Sequence, residues 1–415
     1  MKKIILTSFF YLLITFSFSQ TILPGAYQTK EYVSLLKGKR VAVFANHTAV
    51  IGKTHLVDSL LKLKINVVKA FGPEHGFRGV ADDGGKVDDY IDKATGIPVI
   101  SLYGKKNKPT ADDLKDVDIM VFDIQDVGTR FYTFISSLQV FMEAALENDK
   151  PLIILDRPNP NGFYVDGPVL DTAYKSFVGL QPVPVVYGLT IGEYSTMIGG
   201  EHWLSTPLAN KKYQEYLQKK NKTANKFSLT IIKCKNYTHK SKYILPINPS
   251  PNLPGMTSIY WYPSTCYFEG TNVSEGRGTE HAFSYIGHPA FPKDMFSFTP
   301  VSRSGATHPK FENEACYGFD LYDKNAENIL KKLNGKIQLK YLLEAYKLFP
   351  DKEKFFIQTV YKSARNHFNL LAGNSTLMQQ IKDGKTEAEI RASWEPALSN
   401  YKKTRKKYLL YKDFD

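Results

Sequence analysis

The stretch DIMVFDIQDVGTRFYTFISSLQVFMEAALENDKPLIILD, residues 118–156, decides the fold. It opens on a continuous apolar run, residues 118–124, bounded by polar residues, which reads as a buried strand. Beyond a polar loop, Phe131, Phe134, Ile135, Leu138, Phe141, Met142 and Ala145 recur at intervals of three and four, the period of a helix. Residues 151–156 are a second apolar run. Continuous apolar strands alternating with helices mean a parallel sheet covered on both faces.

The same alternation extends outward. Residues 40–46, 65–71 and 98–103 read as strands upstream, with a helix at 54–63. A helix at 192–204 and a sixth strand at 228–234 follow downstream. These segments form an α/β domain over residues 21–240. From residue 241 to 415 the character changes. A proline-rich extended stretch at 246–255 is followed by a loop rich in Gly, Ser and Glu. Then come a strand-like segment at 311–322, helices at 326–333, 337–347 and 386–392, and a basic, aromatic tail at 401–412. This reads as a second, smaller α+β domain.

The amino terminus sets the compartment. Lys2 and Lys3 precede an apolar run at residues 4–18, with small residues at Ser17 and Ser19. That is the pattern of a secretory signal peptide over residues 1–20. The run is shorter than the roughly 20 residues a spanning helix needs, so the expectation is a periplasmic or secreted protein without stable membrane insertion after cleavage. The chain carries 54 Lys+Arg against 41 Asp+Glu, a net charge of +13, or +11 without Lys2 and Lys3. Such a balance suits an anionic partner. The basic residues are scattered and no nucleic-acid module is visible, so nucleic acid is not the expected partner. Cys234, Cys266 and Cys316 permit at most one disulfide, and no CxxC or His-x-x-His spacing suggests a metal. Nor does GxGxxG follow the first strand, which disfavours a dinucleotide cofactor. No P-loop and no GxSxG elbow occur. No cofactor is expected.

In open α/β sheets ligands bind beyond the carboxyl ends of the strands. After the second strand, FGPEHGFRG (71–79) holds Glu74 and His75 in a glycine-shaped turn, with Arg78 close behind. A carboxylate and an imidazole there are suitable acid/base groups. The bland alternative is a turn with solvated polar residues. After the fourth strand, Asp123 and Gln125 share a face and Asp126 opens the loop to Arg130 and Tyr132. Thr129 can serve as a helix cap, and Asp126 can simply pair with Arg130. After the fifth strand, Asp156, Arg157 and Asn159 stand in a proline-fixed turn. Asn46 ends the first strand. In the second half, FEGTNVSEGRGT (268–279) sets Glu269, Asn272, Glu275 and Arg277 between glycines, as a cleft wall or an exposed loop.

Seven stretches together carry a resemblance: FGPEHGFRG (71–79), SLYGKKNKPT (101–110), VFDIQDVGTRFYT (121–133), LDRPNPNG (155–162), PSPNLP (249–254), YFEGTNVSEGRGTE (267–280) and LAGNSTLMQQI (371–381). On them the chain resembles the exo-β-N-acetylmuramidases of the NamZ type, a glycoside hydrolase family formerly a domain of unknown function. The resemblance implies a Rossmann-like domain plus a smaller C-terminal domain, with the active site in the cleft between them. It implies release of N-acetylmuramic acid from the non-reducing end of peptidoglycan fragments, in cell-wall turnover. It carries the leading catalytic carboxylate onto Glu74, further glutamates onto Glu269 and Glu275, and aspartates onto Asp123 and Asp126. His75, beside Glu74 in the turn, is the reserve candidate on its own chemistry. Asn46-His47-Thr48 departs from the family's more usual Asn-Gln-Thr.

Chemistry adds two expectations. Glycosidic cleavage usually takes two carboxyl groups, one of them held protonated. Phe71, Pro73 and Phe77 give Glu74 an apolar setting of that kind. The lactyl carboxylate of muramic acid calls for a cation, and an arginine fork matches a carboxylate. Arg78, Arg130, Arg157 and Arg277 all sit in candidate loops. The other readings kept open are a β-N-acetylglucosaminidase and a non-catalytic binder of cell-wall sugars.

Overall fold

The computed structural model describes residues 21–74, 76–79, 88–219, 225–357 and 366–414. The signal peptide read at residues 1–20 lies outside the described residues, and so does His75. Helix α1 (Thr29–Leu36) leads to strand β1 (Val41–Ala45). A small hairpin, Val50–Ile51 against Thr54–His55, precedes α2 (Leu56–Lys62) and β2 (Val67–Gly72). An edge strand, Tyr90–Ile91, is followed by β3 (Pro98–Ser101), α3 (Ala111–Leu114), β4 (Ile119–Asp123), α4 (Phe134–Glu147) and β5 (Leu152–Leu155). Then come α5 (Ile191–Gly200), α6 (Pro207–Leu217) and β6 (Leu229–Ile232).

The sheet runs in the order Tyr90–Ile91, β3, β2, β1, β4, β5, β6. Every neighbouring pair is parallel except the first, which is antiparallel. The six parallel strands thus follow the order 3-2-1-4-5-6, that of the Rossmann fold. The order reverses between β1 and β4, whose registers bring Ala45 beside Asp123. Two separate cores cover the sheet. Val41, Val43 and Ala45 of β1 point to α1 and α2, while Ala42 and Phe44 point to the face covered by α4. That alternation is the two-residue period of a strand. On the α4 face Phe44 packs against Phe122 and Phe141, at ring-centroid distances of 5.2 and 5.1 Å.

The second half builds α7 (Met256–Thr265), a 3-10 turn at Cys266–Gly270, and an antiparallel sheet of β7 (Tyr285–His288), β8 (Phe296–Phe298) and β9 (Cys316–Asp320) in the order β7-β9-β8. Helices α8 (Ala326–Leu333), α9 (Lys340–Leu348), α10 (His367–Ala372), α11 (Thr376–Lys382) and α12 (Glu387–Lys406) follow. Two expectations are corrected here. Residues 256–265 lie where the sequence reading places a loop, yet they form α7. Thr257 to Thr265 are all buried there, so α7 shows no one-sided apolar stripe to read. The helix expected at 386–392 extends to Lys406 and absorbs the start of the basic tail. Trp394, Leu398, Tyr401 and Arg405 are its buried face, at intervals of four, three and four, while its lysines stay in solvent. Cys234, Cys266 and Cys316 are free, buried thiols.

Two devices bind the halves. The chain end returns to the first sheet. The Tyr401 hydroxyl donates to Tyr187 O at 2.7 Å, and Arg405 Nε to Gly188 O at 2.8 Å. The Tyr411 hydroxyl donates to Asp156 Oδ2 at 2.5 Å. The second device is Arg130, one of the four arginines that the sequence offers to the lactyl carboxylate. Its guanidinium is fully buried and donates to the carbonyls of Pro168 at 3.0 Å, Val183 at 2.9 Å and Leu371 at 2.7 Å. Among the described residues no carboxylate pairs with it, and burial lowers its pKa to about 10. Arg130 therefore ties the loop after β4 to the end of α10. We expect Arg130→Met to orphan three buried carbonyls. It should lower stability by about 3 kcal/mol, since each unsatisfied group costs about 1–3 kcal/mol and such costs overlap. Denaturant unfolding measures this; a change below about 0.5 kcal/mol, the size of an ordinary surface substitution, would show that Arg130 is not a strut.

Candidate active site

The carboxyl ends of β1, β2, β4 and β5 converge at the point where strand order reverses, the position where such sheets bind ligands. At β1, Asn46 is fully buried and its Oδ1 accepts from the Thr48 amide at 3.0 Å and hydroxyl at 2.6 Å. Thr48 Oγ1 in turn accepts from the Gln125 amide at 3.0 Å. This short chain of donors fixes the β1 loop to the β4 loop. Gln125 Nε2 donates to the carbonyls of Asp126 and Pro158, both at 2.8 Å, and so reaches the β5 loop. Thr48 is the link the sequence reading missed; it stands beside the Asn46 that was singled out.

Asp123 and Arg157 meet as a bidentate pair. Arg157 Nε lies 2.5 Å from Asp123 Oδ1 and Nη2 lies 2.8 Å from Oδ2, with side chains 3% and 0% exposed. Asn159 Nδ2 donates to Leu189 O at 2.8 Å. Asp126 is buried, and its Oδ2 accepts from the Gly128 amide at 2.6 Å and from the Tyr187 hydroxyl. Its Oδ1 is buried without a hydrogen-bond partner among the described residues. Burial raises the Asp126 pKa to about 7, despite the opposing pull of its two donors.

After β2, Glu74 is partly exposed between buried Phe71, Pro73 and Phe77. The Gly76 amide donates to Pro73 O at 2.9 Å, closing the turn. Gly79, with φ +74°, lies against the His47 ring; a Cβ there would sit 2.4 Å from Nδ1. His47 Nε2 lies 2.9 Å from Asn248 O. The Glu74 loop, the β1 loop and the proline-rich segment therefore meet. Arg78 turns the other way. Its guanidinium reaches Asp58 at 3.0 Å and Asp92 at 2.7 Å, and these carboxylates raise its pKa. Next to the turn, Leu102 N donates to Gly72 O at 2.8 Å. The residues around it help to line a cavity of about 800 Å³, with Asp89, Ser101, Tyr103 and Lys106 in its wall. That volume is within the range of small-molecule sites.

The second half closes over this edge. The Tyr132 hydroxyl donates to Pro249 O at 2.9 Å, and its ring packs edge-on against Tyr262 at 5.8 Å. Behind Tyr262 stands the loop with the second-half glutamates. Arg277 Nη2 lies 2.6 Å from Glu269 Oε1, and Arg277 Nε 3.4 Å from Glu275 Oε1. Lys310, which no sequence motif marks, lies 2.9 Å from Glu275 Oε2. Burial alone would raise the Glu275 pKa, but Lys310 and Arg277 outweigh it and hold the carboxyl below its usual value. Asn272 Nδ2 donates to Lys354 O at 2.6 Å. The structure thus unites Glu269, Glu275 and Arg277 in one cluster. It joins Asn46, Gln125 and Asp126, and Asp123 with Arg157, at the sheet edge. All four arginines, Arg78, Arg130, Arg157 and Arg277, bind within the protein.

Among the described residues no group of three His, Cys, Asp or Glu is arranged to hold a metal ion, and no helix is long and apolar enough to cross a membrane.

Residues 41–257 match the family description "Exo-beta-N-acetylmuramidase NamZ, N-terminal", and residues 260–411 match its C-terminal counterpart. A Bacillus subtilis protein named peptidoglycan beta-N-acetylmuramidase NamZ is 38% identical, the match covering 94% of this chain and 90% of that protein. Crystal structures of two DUF1343 family proteins from Bacteroides fragilis are also similar. One is 44% identical with a TM-score of 0.81, covering 95% of this chain and 100% of its own. The other is 29% identical with a TM-score of 0.75, covering 94% and 99%.

The raised Asp126 pKa has a stability consequence of definite sign. The unfolded chain releases this proton near the ordinary value of 3.8, the native state only near 7. Between those values the native state binds more protons, so Asp126 makes stability fall as pH rises, and the loss is complete above about 7. Asp126→Asn removes the titration and leaves a pH-independent offset. From pH 4 to 8 the wild type should lose on the order of 2–4 kcal/mol relative to the variant. Parallel stability curves in denaturant titrations at several pH values would contradict this.

Proposed function

The chain belongs to the exo-β-N-acetylmuramidase NamZ family, and from that membership we propose that it is an exo-acting glycoside hydrolase that releases N-acetylmuramic acid from the non-reducing end of peptidoglycan fragments. The observation that carries this reading is 38% identity, across 94% of the chain, to the Bacillus subtilis peptidoglycan β-N-acetylmuramidase. The substrate is a peptidoglycan-derived saccharide. The protein works outside the cytoplasm, exported by the leader at residues 1–20. Residues 21–240 and 241–415 act as its two domains.

Glu74 donates the proton to the leaving-group oxygen. Support comes from its place just past β2, next to the reversal of strand order, and from the buried Phe71, Pro73 and Phe77 that flank it. Cleavage by paired carboxyl groups needs a second one on the other side of the anomeric carbon, and Glu269 or Glu275 supplies it. The 2-acetamido group of the sugar can instead attack the anomeric carbon, with a glutamate orienting it. Asn46, Gln125 and Asn159 shape the edge the sugar rests on, and Asp123 and Asp126 hold that edge in place. Arg277 meets the lactyl carboxylate, because it stands in the same loop as Glu269 and Glu275, whereas Arg130 and Arg157 are buried against backbone carbonyls and Asp123, and Arg78 turns away to Asp58 and Asp92.

Glu74→Gln keeps the side chain's shape and removes the ionisable group. With a chromogenic N-acetylmuramic acid glycoside, kcat should fall about 10²–10⁴-fold, the usual worth of a general acid, while the unfolding transition stays unchanged. Near-normal turnover by this variant would remove Glu74 from the mechanism.

A further inference from the structure

Lys310 lies in the loop between β8 and β9, outside every stretch that carries the family resemblance. Its ammonium nevertheless meets four acceptors of the loop that holds the second-half glutamates. Nζ donates to the carbonyls of Phe268 and Thr271, both at 2.9 Å, and of Val273 at 3.2 Å. It also donates to Glu275 Oε2 at 2.9 Å. The three carbonyls belong to the turn that carries Glu269 and leads to Glu275. The approach is prepared by Gly278, whose φ is +80°; a Cβ there would lie 2.6 Å from Pro309 Cγ. Pro309 packs into that space and delivers Lys310 to the turn.

The charges of the cluster can be counted. Glu269 and Glu275 are balanced by Arg277 and Lys310. His367, at the start of α10, acts on both Glu269 and Lys310, and burial lowers its pKa, so it adds no full charge near neutrality. Tyr262 and Cys266, the other titratable neighbours, have their pKa values pushed well up by burial and stay neutral. The cluster is therefore close to net zero. Removing Lys310 would leave it with one excess negative charge, next to a Glu275 side chain that is only 4% exposed.

We propose that Lys310 is a positioning residue that fixes the Glu269–Glu275 turn through its carbonyls and keeps the cluster neutral, so that the cleft admits an anionic rather than a neutral hexosaminide. This rests on the reading of the site given above. The cation acts through Glu275 and Arg277. While it neutralises Glu275, the Arg277 fork keeps positive potential for an incoming carboxylate. Without it, Arg277, which already contacts both Glu269 and Glu275, faces the two glutamates without help from Lys310, and the negative cluster repels the same carboxylate.

The test compares wild type, Lys310→Met and Lys310→Arg. Inhibition constants for free N-acetylmuramic acid and N-acetylglucosamine are measured across pH, using turnover of the chromogenic muramic acid glycoside. Lys310→Met should weaken N-acetylmuramic acid about 10- to 100-fold, the range of a lost hydrogen bond to a charged group, and N-acetylglucosamine much less. The acidic limb of kcat/KM should move towards neutral pH, because Glu275 loses its nearest cation. Lys310→Arg should restore most of the preference. Equal weakening of both sugars with an unchanged pH profile would make Lys310 a purely structural residue and overturn the proposal. Titration of the Glu275 carboxyl by carbon-13 NMR gives a readout that needs no turnover: in Lys310→Met its midpoint should rise by about one pH unit or more. If wild type cleaves no muramic acid glycoside but the midpoint still rises, the proposed activity fails and the role of Lys310 in setting the cluster's charge stands. If the midpoint does not move, the role of Lys310 fails, whichever sugar is cleaved.

Discussion

The bidentate pair between Arg157 and Asp123 fixes the edge on which the site is built. It joins the carboxyl ends of β4 and β5 with distances of 2.5 and 2.8 Å. A buried ion pair adds little net stability, but losing one partner costs about 3–5 kcal/mol. Its value is therefore geometric. The next residue inward, Asp156, accepts from the Arg157 amide at 3.0 Å, the Gly192 amide at 2.9 Å, the Thr190 hydroxyl at 2.7 Å and the Tyr411 hydroxyl at 2.5 Å. Strand β5, the start of α5 and the chain's own end are thereby held to one point. Burial still pushes the Asp156 pKa up to about 6. Two buried carboxyl groups at this edge, Asp126 and Asp156, thus stay protonated at a higher pH than an exposed aspartate would. The donors around them supply order at some expense in stability.

This edge explains a division of labour between the halves. The parallel sheet is covered on both faces and offers loops tied to one another by Thr48, Gln125 and the Asp123–Arg157 pair. The second half contributes a loop whose glutamates are paired with cations, Arg277 and Lys310, on elements that the first half does not contain. The halves are not simply stacked. Arg130 reaches from the β4 loop to Leu371, and α12 returns to Tyr187 and Gly188, so the halves are braced against each other at two places.

Much of this was legible in the sequence. The strands and the loops at their carboxyl ends stood out because apolar runs alternate with helical periodicity. The glycine-bounded motifs marked Glu74, Glu269 and Glu275, and the resemblance named the family. What was not legible follows from physics that leaves no local trace. Helix α7 is buried on all sides, so it has no periodic stripe. Lys310 is one lysine among many, and only the folded turn supplies its three carbonyls. The arginines read as alike in sequence because a guanidinium in a loop looks the same whether it faces a sugar or a buried aspartate. Partner geometry separates them: Arg78 turns to Asp58 and Asp92, Arg157 to Asp123, Arg130 to backbone carbonyls, and Arg277 to the glutamate cluster.

The central claim is that the cleft at the reversal of strand order, closed by the Glu269–Arg277 loop, cleaves a muramic acid glycoside. The most direct measurement is turnover by the wild-type protein of a chromogenic N-acetylmuramic acid glycoside beside the matched N-acetylglucosamine glycoside. The two differ only in the lactyl ether. The account predicts hydrolysis of the first with kcat/KM at least about 10-fold above the second, the low end of what one charged hydrogen bond is worth. Equal rates on both, preference for the glucosaminide, or binding of the muramic acid glycoside without turnover would contradict it.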